Sequence, residues 1–300
     1  MLPPYLRPSD LVAIVSPSGS IQAEYIDGAI KKINEWGLLA TEGEFARSKY
    51  GRFAASTSQR VDDLQKALDD KRIKAIICSR GGYGLAQIID KLDFTLFSEN
   101  PKWLIGFSDI TVLHNVISNL GVASIHSIMA KHITELPNDA QQVLQLRNIL
   151  FGELPKYNIP VNPFNRCGNT IAPIVGGNLS VMMGLRGSGY DLDYANAILF
   201  IEDIAEEPYK IDRMIQNLRF SGVLAQLSGL IVGQFTDCNE DPLMMQTVEQ
   251  IISNAVADYN YPVCFNFPAG HVDYNLPVIL GAKTTLKVSN ECVSVTFWDI

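Results

Sequence analysis

The feature that most constrains this chain is an alternation, in its first half, between short apolar runs and longer stretches with helical spacing. Residues 11–15 (Leu-Val-Ala-Ile-Val), 75–78 (Ala-Ile-Ile-Cys) and 103–106 (Trp-Leu-Ile-Gly) are too short for buried helices. They show no polar alternation, so each predicts a strand covered on both faces. Between them lie helical patterns over 23–36, with Ile26, Ile30, Ile33 and Trp36 on one stripe, and over 57–70, with Val61, Leu64 and Leu68. Further helices are predicted through Ile88 and Ile89 and over 110–120. Strands of this kind separated by helices imply a parallel sheet with helices on both faces. Functional groups in such sheets gather beyond the carboxyl ends of the strands. Three turns fall there: Ser16-Pro17-Ser18-Gly19, Arg80-Gly81-Gly82-Tyr83-Gly84 and Gly106-Phe107-Ser108-Asp109.

From about 152 to 170 the pattern breaks. Pro155, Pro160, Pro163 and Gly168 supply turns and interrupt helical periodicity, which reads as a linker. Beyond it, Gly176-Gly177-Asn178-Leu179 opens a predicted helix reaching Leu185. Strands follow at 197–201 and 227–233, with helices over 208–220 and 241–257. Residues 284–288 and 292–297 alternate about a turn at Ser289-Asn290, the signature of an antiparallel pair. The fold class expected is therefore α/β. A mostly parallel N-terminal sheet flanked by helices (1–151) is joined by a linker (152–170) to a C-terminal α/β lobe with antiparallel strands near its end (171–300).

With 300 residues the chain can bury roughly three quarters of the surface its unfolded form exposes, so a core needs no covalent staples. The net charge of −8 disfavours polyanions and hence nucleic-acid partners. Five scattered cysteines, none in a Cys-x-x-Cys pair, suggest neither a zinc ribbon nor a disulfide framework and read as free thiols of a reducing compartment. The N-terminus, Met-Leu-Pro-Pro-Tyr-Leu-Arg-Pro, lacks a basic segment followed by a long apolar one. The expectation is a cytoplasmic protein without membrane association.

Ser108 stands between a predicted strand and a predicted helix. A serine on such a turn presents its hydroxyl above the sheet, beside free helix amides able to stabilise an oxyanion. The motif departs from the hydrolase elbow Gly-x-Ser-x-Gly, because Ile110 occupies the second glycine position. Helix capping by Ser108 or Asp109 is the alternative. A nucleophilic serine needs a base, and the chain has four histidines. His114 lies inside the helix after Ser108 and is expected to point elsewhere. His126 and His132 fit surface or core, while His271 sits in a loop punctuated by Pro268 and Gly270. Glu202 ends an apolar strand, and strand alternation aims it and Asp203 to opposite sides. Either carboxylate also fits the start of a solvated loop. The Arg80–Gly84 turn suits an anion or oxyanion but matches neither Gly-x-Gly-x-x-Gly nor a Walker sequence. No His-x-x-x-His or Cys/His cluster suggests a metal, and no cofactor is expected.

Together these segments resemble the serine LD-carboxypeptidase family, which includes muramoyl-tetrapeptide carboxypeptidases and microcin-C self-immunity peptidases. Seven elements occur in family order between about Leu11 and Ala282. They are Val15-Ser16-Pro17-Ser18-Gly19, Arg80-Gly81-Gly82-Tyr83-Gly84, Gly106-Phe107-Ser108-Asp109-Ile110-Thr111, Gly176-Gly177-Asn178-Leu179, Phe200-Ile201-Glu202-Asp203, Pro208-Tyr209-Lys210-Ile211-Asp212-Arg213 and Gly270-His271. The resemblance implies a Ser-His-Glu triad of Ser108, His271 and Glu202, set in a groove between two lobes. It further implies an oxyanion hole at the backbone of Asp109 and Gly82. Arg80, Gly81 and Asn178 are candidates for substrate contact.

The reaction implied is hydrolysis of the bond between the L-centre of a diamino acid and a terminal D-alanine, shortening muropeptide tetrapeptides during peptidoglycan recycling. A homodimer is expected on the same basis. A self-immunity peptidase acting on a peptidyl-nucleotide antibiotic would need an aromatic nucleobase pocket. No long insertion with paired tryptophans lies between Val232 and Pro268, and Trp36, Trp103 and Trp298 are dispersed. The third possibility is a muropeptide-binding protein without catalysis, for which retention of all three triad residues has no use.

Overall fold

The computed structural model describes residues 1–239 and 241–299. Its thirteen described strands are β1 (Leu11–Val15), β2 (Leu39–Glu42), β3 (Ile73–Cys78), β4 (Trp103–Gly106), β5 (Ser124–His126), β6 (Lys156–Ile159), β7 (Gly168–Asn178), β8 (Ile198–Ile204), β9 (Gly229–Thr236), β10 (Val263–Cys264), β11 (Val278–Leu280), β12 (Lys283–Val288) and β13 (Val293–Trp298). They form two sheets. The first has the order β11-β5-β4-β3-β1-β2. Its five N-terminal strands are parallel, and β11 lies antiparallel to β5. Strand order reverses between β1 and β3, and a crevice opens at such a switch point beyond the strand ends. The second sheet, β10-β9-β8-β7-β12-β13-β6, is parallel from β10 to β7 and antiparallel from there on. The α/β class and its antiparallel C-terminal portion agree with the sequence.

The long strand β7 joins the two modes. Its first half pairs antiparallel with β12 and its second half parallel with β8. Gly176 and Gly177 lie at its end at φ +129° and +143°. This corrects the expectation that they open a helix; the helix is only Leu179–Met183. A Cβ on Gly176 would sit 1.9 Å from the Phe200 carbonyl oxygen, so the close approach of β7 to β8 excludes a side chain there. The helix expected through Ile88 and Ile89 is instead two 3-10 turns, Leu85–Gln87 and Ile89–Lys91. That expected over 241–257 is a 3-10 turn and the helix Val248–Ala255. Strand β6 lies within the stretch 152–170 and pairs with β13.

Burial follows the pattern that predicted the strands. Every residue of β4 is buried, as are all of β3 except Lys74, whereas β12 alternates. One continuous core takes Val12, Ile77 and Ile105 from the first sheet and Ile174, Phe200 and Phe267 from the second region. Each such side chain contributes roughly 1.5–3 kcal/mol on burial, so the contact between the sheets is part of the core. The helix Thr57–Asp69 starts with a reciprocal cap between Ser56 and Gln59, which sets the position of Arg60 in its first turn. Among the described residues, no helix is long and apolar enough to cross a membrane.

Candidate active site

The turns after β1, β3 and β4 are tied into one unit. The Gly19 amide donates to the Gly81 carbonyl at 3.2 Å. Buried Arg60 donates through Nη1 to the carbonyls of Pro17 (2.7 Å) and Gly84 (2.9 Å). Asp109 Oδ2 accepts from the Ser18 hydroxyl at 2.6 Å and from the Leu85 amide at 3.0 Å, so one buried carboxylate spans all three turns. Sequence reasoning offered this side chain only as a cap of its own helix, not as a bridge between turns. Its signal is only the acid that follows Ser108, since both partners are remote in sequence.

Ser108 itself has φ +67°, a left-handed conformation uncommon for a side chain larger than glycine. The 3-10 turn Ser108–Ile110 leads into the helix Thr111–Asn119, whose N-cap position is Ile110 with no side-chain cap. Capping therefore does not account for Ser108 or Asp109. A Cβ added to Gly81 would lie 2.9 Å from Ser108 Cβ and 3.1 Å from its Oγ. The glycine turn after β3 thus closes directly over the serine. Arg80 beside it is exposed and donates to the Ser20 carbonyl at 3.2 Å, and Gly82, also exposed, has φ +113°.

The second half of the site comes from β8 and the loop before β11. Glu202 is fully buried, which removes the solvated-loop reading. Its Oε2 accepts from His271 Nδ1 at 2.7 Å, across 69 residues of sequence. The His271 loop is fixed by the Gly270 amide to Asn275 Oδ1 (3.0 Å), the Gln234 amide to the Ala269 carbonyl (3.0 Å), and Gln142 Nε2 to the Asp273 carbonyl (2.7 Å). The His271 side chain keeps 15% exposure, and its ring packs on Phe107 with centroids 4.8 Å apart. The imidazole carried on the loop between β10 and β11 is therefore seated on the residue preceding Ser108.

Burial pushes the Glu202 carboxyl up, but the neighbouring imidazoles of His126 and His271 more than offset this and hold it below the usual carboxylate range. Asp203, next along the strand, faces differently, as alternation requires. It accepts from Asn178 Nδ2 at 3.0 Å, the Ser180 amide at 2.8 Å and the Ile204 amide at 2.9 Å, yet burial prevails and pushes it up to about 6. Asn178 is buried and committed: its Oδ1 accepts from the Val181 amide at 3.1 Å, and its own amide donates to Thr111 Oγ1 at 3.0 Å. It connects the helix after Ser108 to the strand that carries the acid.

Of the remaining histidines, His114 and His126 are core residues and His132 is half-buried. His114 bonds Ser124 Oγ (2.7 Å) and the Gly106 carbonyl (2.9 Å), and burial lowers it to about 3. Burial likewise lowers His132 to about 4. His126 on β5 is fully buried between the rings of Phe107 and Phe200. Among the described residues, no group of three or more His, Cys, Asp or Glu side chains is placed to hold a metal ion.

The two-sheet α/β scaffold thus carries a serine on a strand-to-helix turn and, from distant segments, a buried glutamate bonded to a histidine. The LD-carboxypeptidase N-terminal domain matches residues 12–127 and the corresponding C-terminal domain matches residues 172–286; the chain belongs to the LD-carboxypeptidase family of hydrolases. It is 30% identical over 299 residues to a Bacillus subtilis protein named "Probable murein peptide carboxypeptidase", covering 96% of this chain and 92% of that one. It is 28% identical over 285 residues to the murein tetrapeptide carboxypeptidase of Pseudomonas aeruginosa, covering 92% of each. The crystal structure of muramoyltetrapeptide carboxypeptidase from Oxalobacter formigenes shares the fold, with a TM-score of 0.88 at 23% identity over 96% of this chain and 99% of that one.

Proposed function

We propose that the protein is a serine carboxypeptidase that releases the terminal D-alanine of muropeptide tetrapeptides by cutting the L,D-peptide bond, acting in the cytoplasm during peptidoglycan recycling. The observation that carries this reading is the 2.7 Å Glu202–His271 contact, with the His271 ring seated on Phe107, next to a serine held at φ +67°. The names of the murein-directed relatives supply the substrate class.

In this reading Ser108 is the nucleophile and His271 its general base. Nδ1–H of His271 is held by Glu202, which leaves Nε2 to take the serine proton as Oγ attacks the carbonyl carbon. The tetrahedral oxyanion is received by the backbone amides of Asp109 and Gly82. His271 then returns the proton to the departing D-alanine amine, and a water activated by the same imidazole hydrolyses the acyl-enzyme. Buried Glu202, held ionised by its imidazole neighbours, stabilises the imidazolium without itself taking the proton. Exposed Arg80, which adjoins the Gly81 that closes over Ser108, suits the free carboxylate of the substrate. Asn178 acts by building the site.

The test is D-alanine release from a purified muropeptide tetrapeptide. The wild type is expected to release it, and Ser108→Ala to lose activity by about four orders of magnitude or more while keeping its circular dichroism spectrum. Equal release by both would end the proposal.

A further inference from the structure

Glu202 has two carboxylate oxygens, and the chemistry above uses one. Oε2 meets His271; Oε1 faces His126 Nε2 at 3.6 Å. Both side chains are 0% exposed, and neither Oε1 nor Nε2 has a hydrogen-bond partner among the described residues. Buried polar atoms are rarely left unpartnered, and an ionised oxygen has the most to lose. A shift of roughly 0.6 Å would bring this pair to the usual N–H···O separation.

His126 has little freedom to turn elsewhere. Its backbone is paired on both sides, with Gly106 of β4 and Val278 of β11. Its ring lies edge-on to Phe200 at 5.0 Å and to Phe107 at 5.7 Å. It belongs to the first sheet and the carboxylate to the second, so the pair bridges the two halves of the site.

We propose that His126 is a positioning residue: its Nε2–H donates to Glu202 Oε1, clamping the carboxylate between two imidazoles so that Oε2 is presented to His271 in a single orientation. This rests on the reading of Ser108, His271 and Glu202 as one catalytic unit. The other ionisable groups around the pair are His114 behind the His126 ring, His132 across Phe107, and Asp203 next along β8. Burial keeps His114 and His132 uncharged near neutral pH, so neither supplies a competing positive charge. A donor on Oε1 withdraws charge from the Glu202–His271 unit. Removing it makes that unit bind its first proton at higher pH, whichever of the two residues carries the proton.

The test uses the full chain, with D-alanine release measured over about pH 5 to 9 and imidazole NMR of the unliganded protein over the same range. His126→Phe is expected to lower kcat by about 10- to 100-fold with KM changed less than about two-fold. The acid limb of its rate profile and the His271 titration midpoint should both move up by about half a pH unit or more. His126→Gln, whose amide N–H can reach Oε1, should recover most of the loss. An unmoved His271 midpoint in a folded His126→Phe protein overturns the proposal, as does a glutamine variant no better than phenylalanine. Should His126→Phe not fold, the wild type decides through the His126 ring nitrogens: protonation at Nε2 supports the clamp, and protonation at Nδ1 alone overturns it. Failure of the wild type to release D-alanine would instead sink the reaction reading, while the NMR measurements still decide the role of His126.

Discussion

The two halves of the site are held by different physics. On the serine side, position comes from backbone geometry and hydrogen bonds between neighbouring turns: φ +67° at Ser108, the contact with Gly81, and Asp109 bonded to Ser18 and Leu85. On the acid–base side, position comes from charge in a dry environment. Glu202 and Asp203 are adjacent and equally buried, yet imidazoles hold the first down while burial pushes the second up to about 6. Burial alone does not decide the state of a carboxylate; the neighbour it was folded against does. The serine half should therefore be sensitive to added volume, and the acid–base half to lost charge.

Apart from removal of the nucleophile itself, the largest effect expected is on the acid–base half. Glu202→Gln keeps the shape but removes the charge that orients His271, and kcat/KM should fall by about three to four orders of magnitude. A loss below about tenfold would show that the buried glutamate is structural. Next comes volume on the serine half. Gly81→Ala places a methyl against Ser108 Cβ and should lower kcat by about 100-fold, because small displacements of a reacting group are expensive. Its melting temperature should change little, and unchanged kinetics would mean that the turn yields without moving the serine.

The smallest effect concerns pH and stability. His114, which supports the helix after Ser108, has its folded pKa lowered to about 3, below the unfolded value near 6.5. The unfolded chain therefore binds a proton that the folded chain refuses. Stability is full above about pH 6.5 and falls as pH drops towards 3, by up to about 1.4 kcal/mol per pH unit. Asp203 opposes this between about pH 4 and 6, since with a raised folded pKa it takes its proton in the folded state first. Urea denaturation of wild type and His114→Gln at several pH values separates the two. The variant should show the shallower loss below about pH 6, and parallel curves would contradict the assignment.

The same contrast explains how much was legible in the sequence. Strand 11–15, helix 208–220 and the terminal antiparallel pair carry their pattern locally, and the structure has them at β1, Pro208–Phe220 and β12–β13. Ser108 was visible as a turn between two such patterns. Glu202 was not separable from a loop residue by its own neighbours, because its burial depends on Gly233 and Gly270 packing against it from distant segments. The three-residue strands β5 and β11 are too short to show a period, and they pair across more than 150 residues. His126 lies on one of them, which is why sequence alone left it open between surface and core.

The central claim is that the two halves work as one catalytic unit, and one double-variant measurement tests it. D-alanine release is compared for Ser108→Ala, His271→Ala and the combined variant. If nucleophile and base act together, the combined variant is no slower than the worse single variant, as interdependent triad residues behave. If the losses multiply, each residue contributes independently and the account is contradicted.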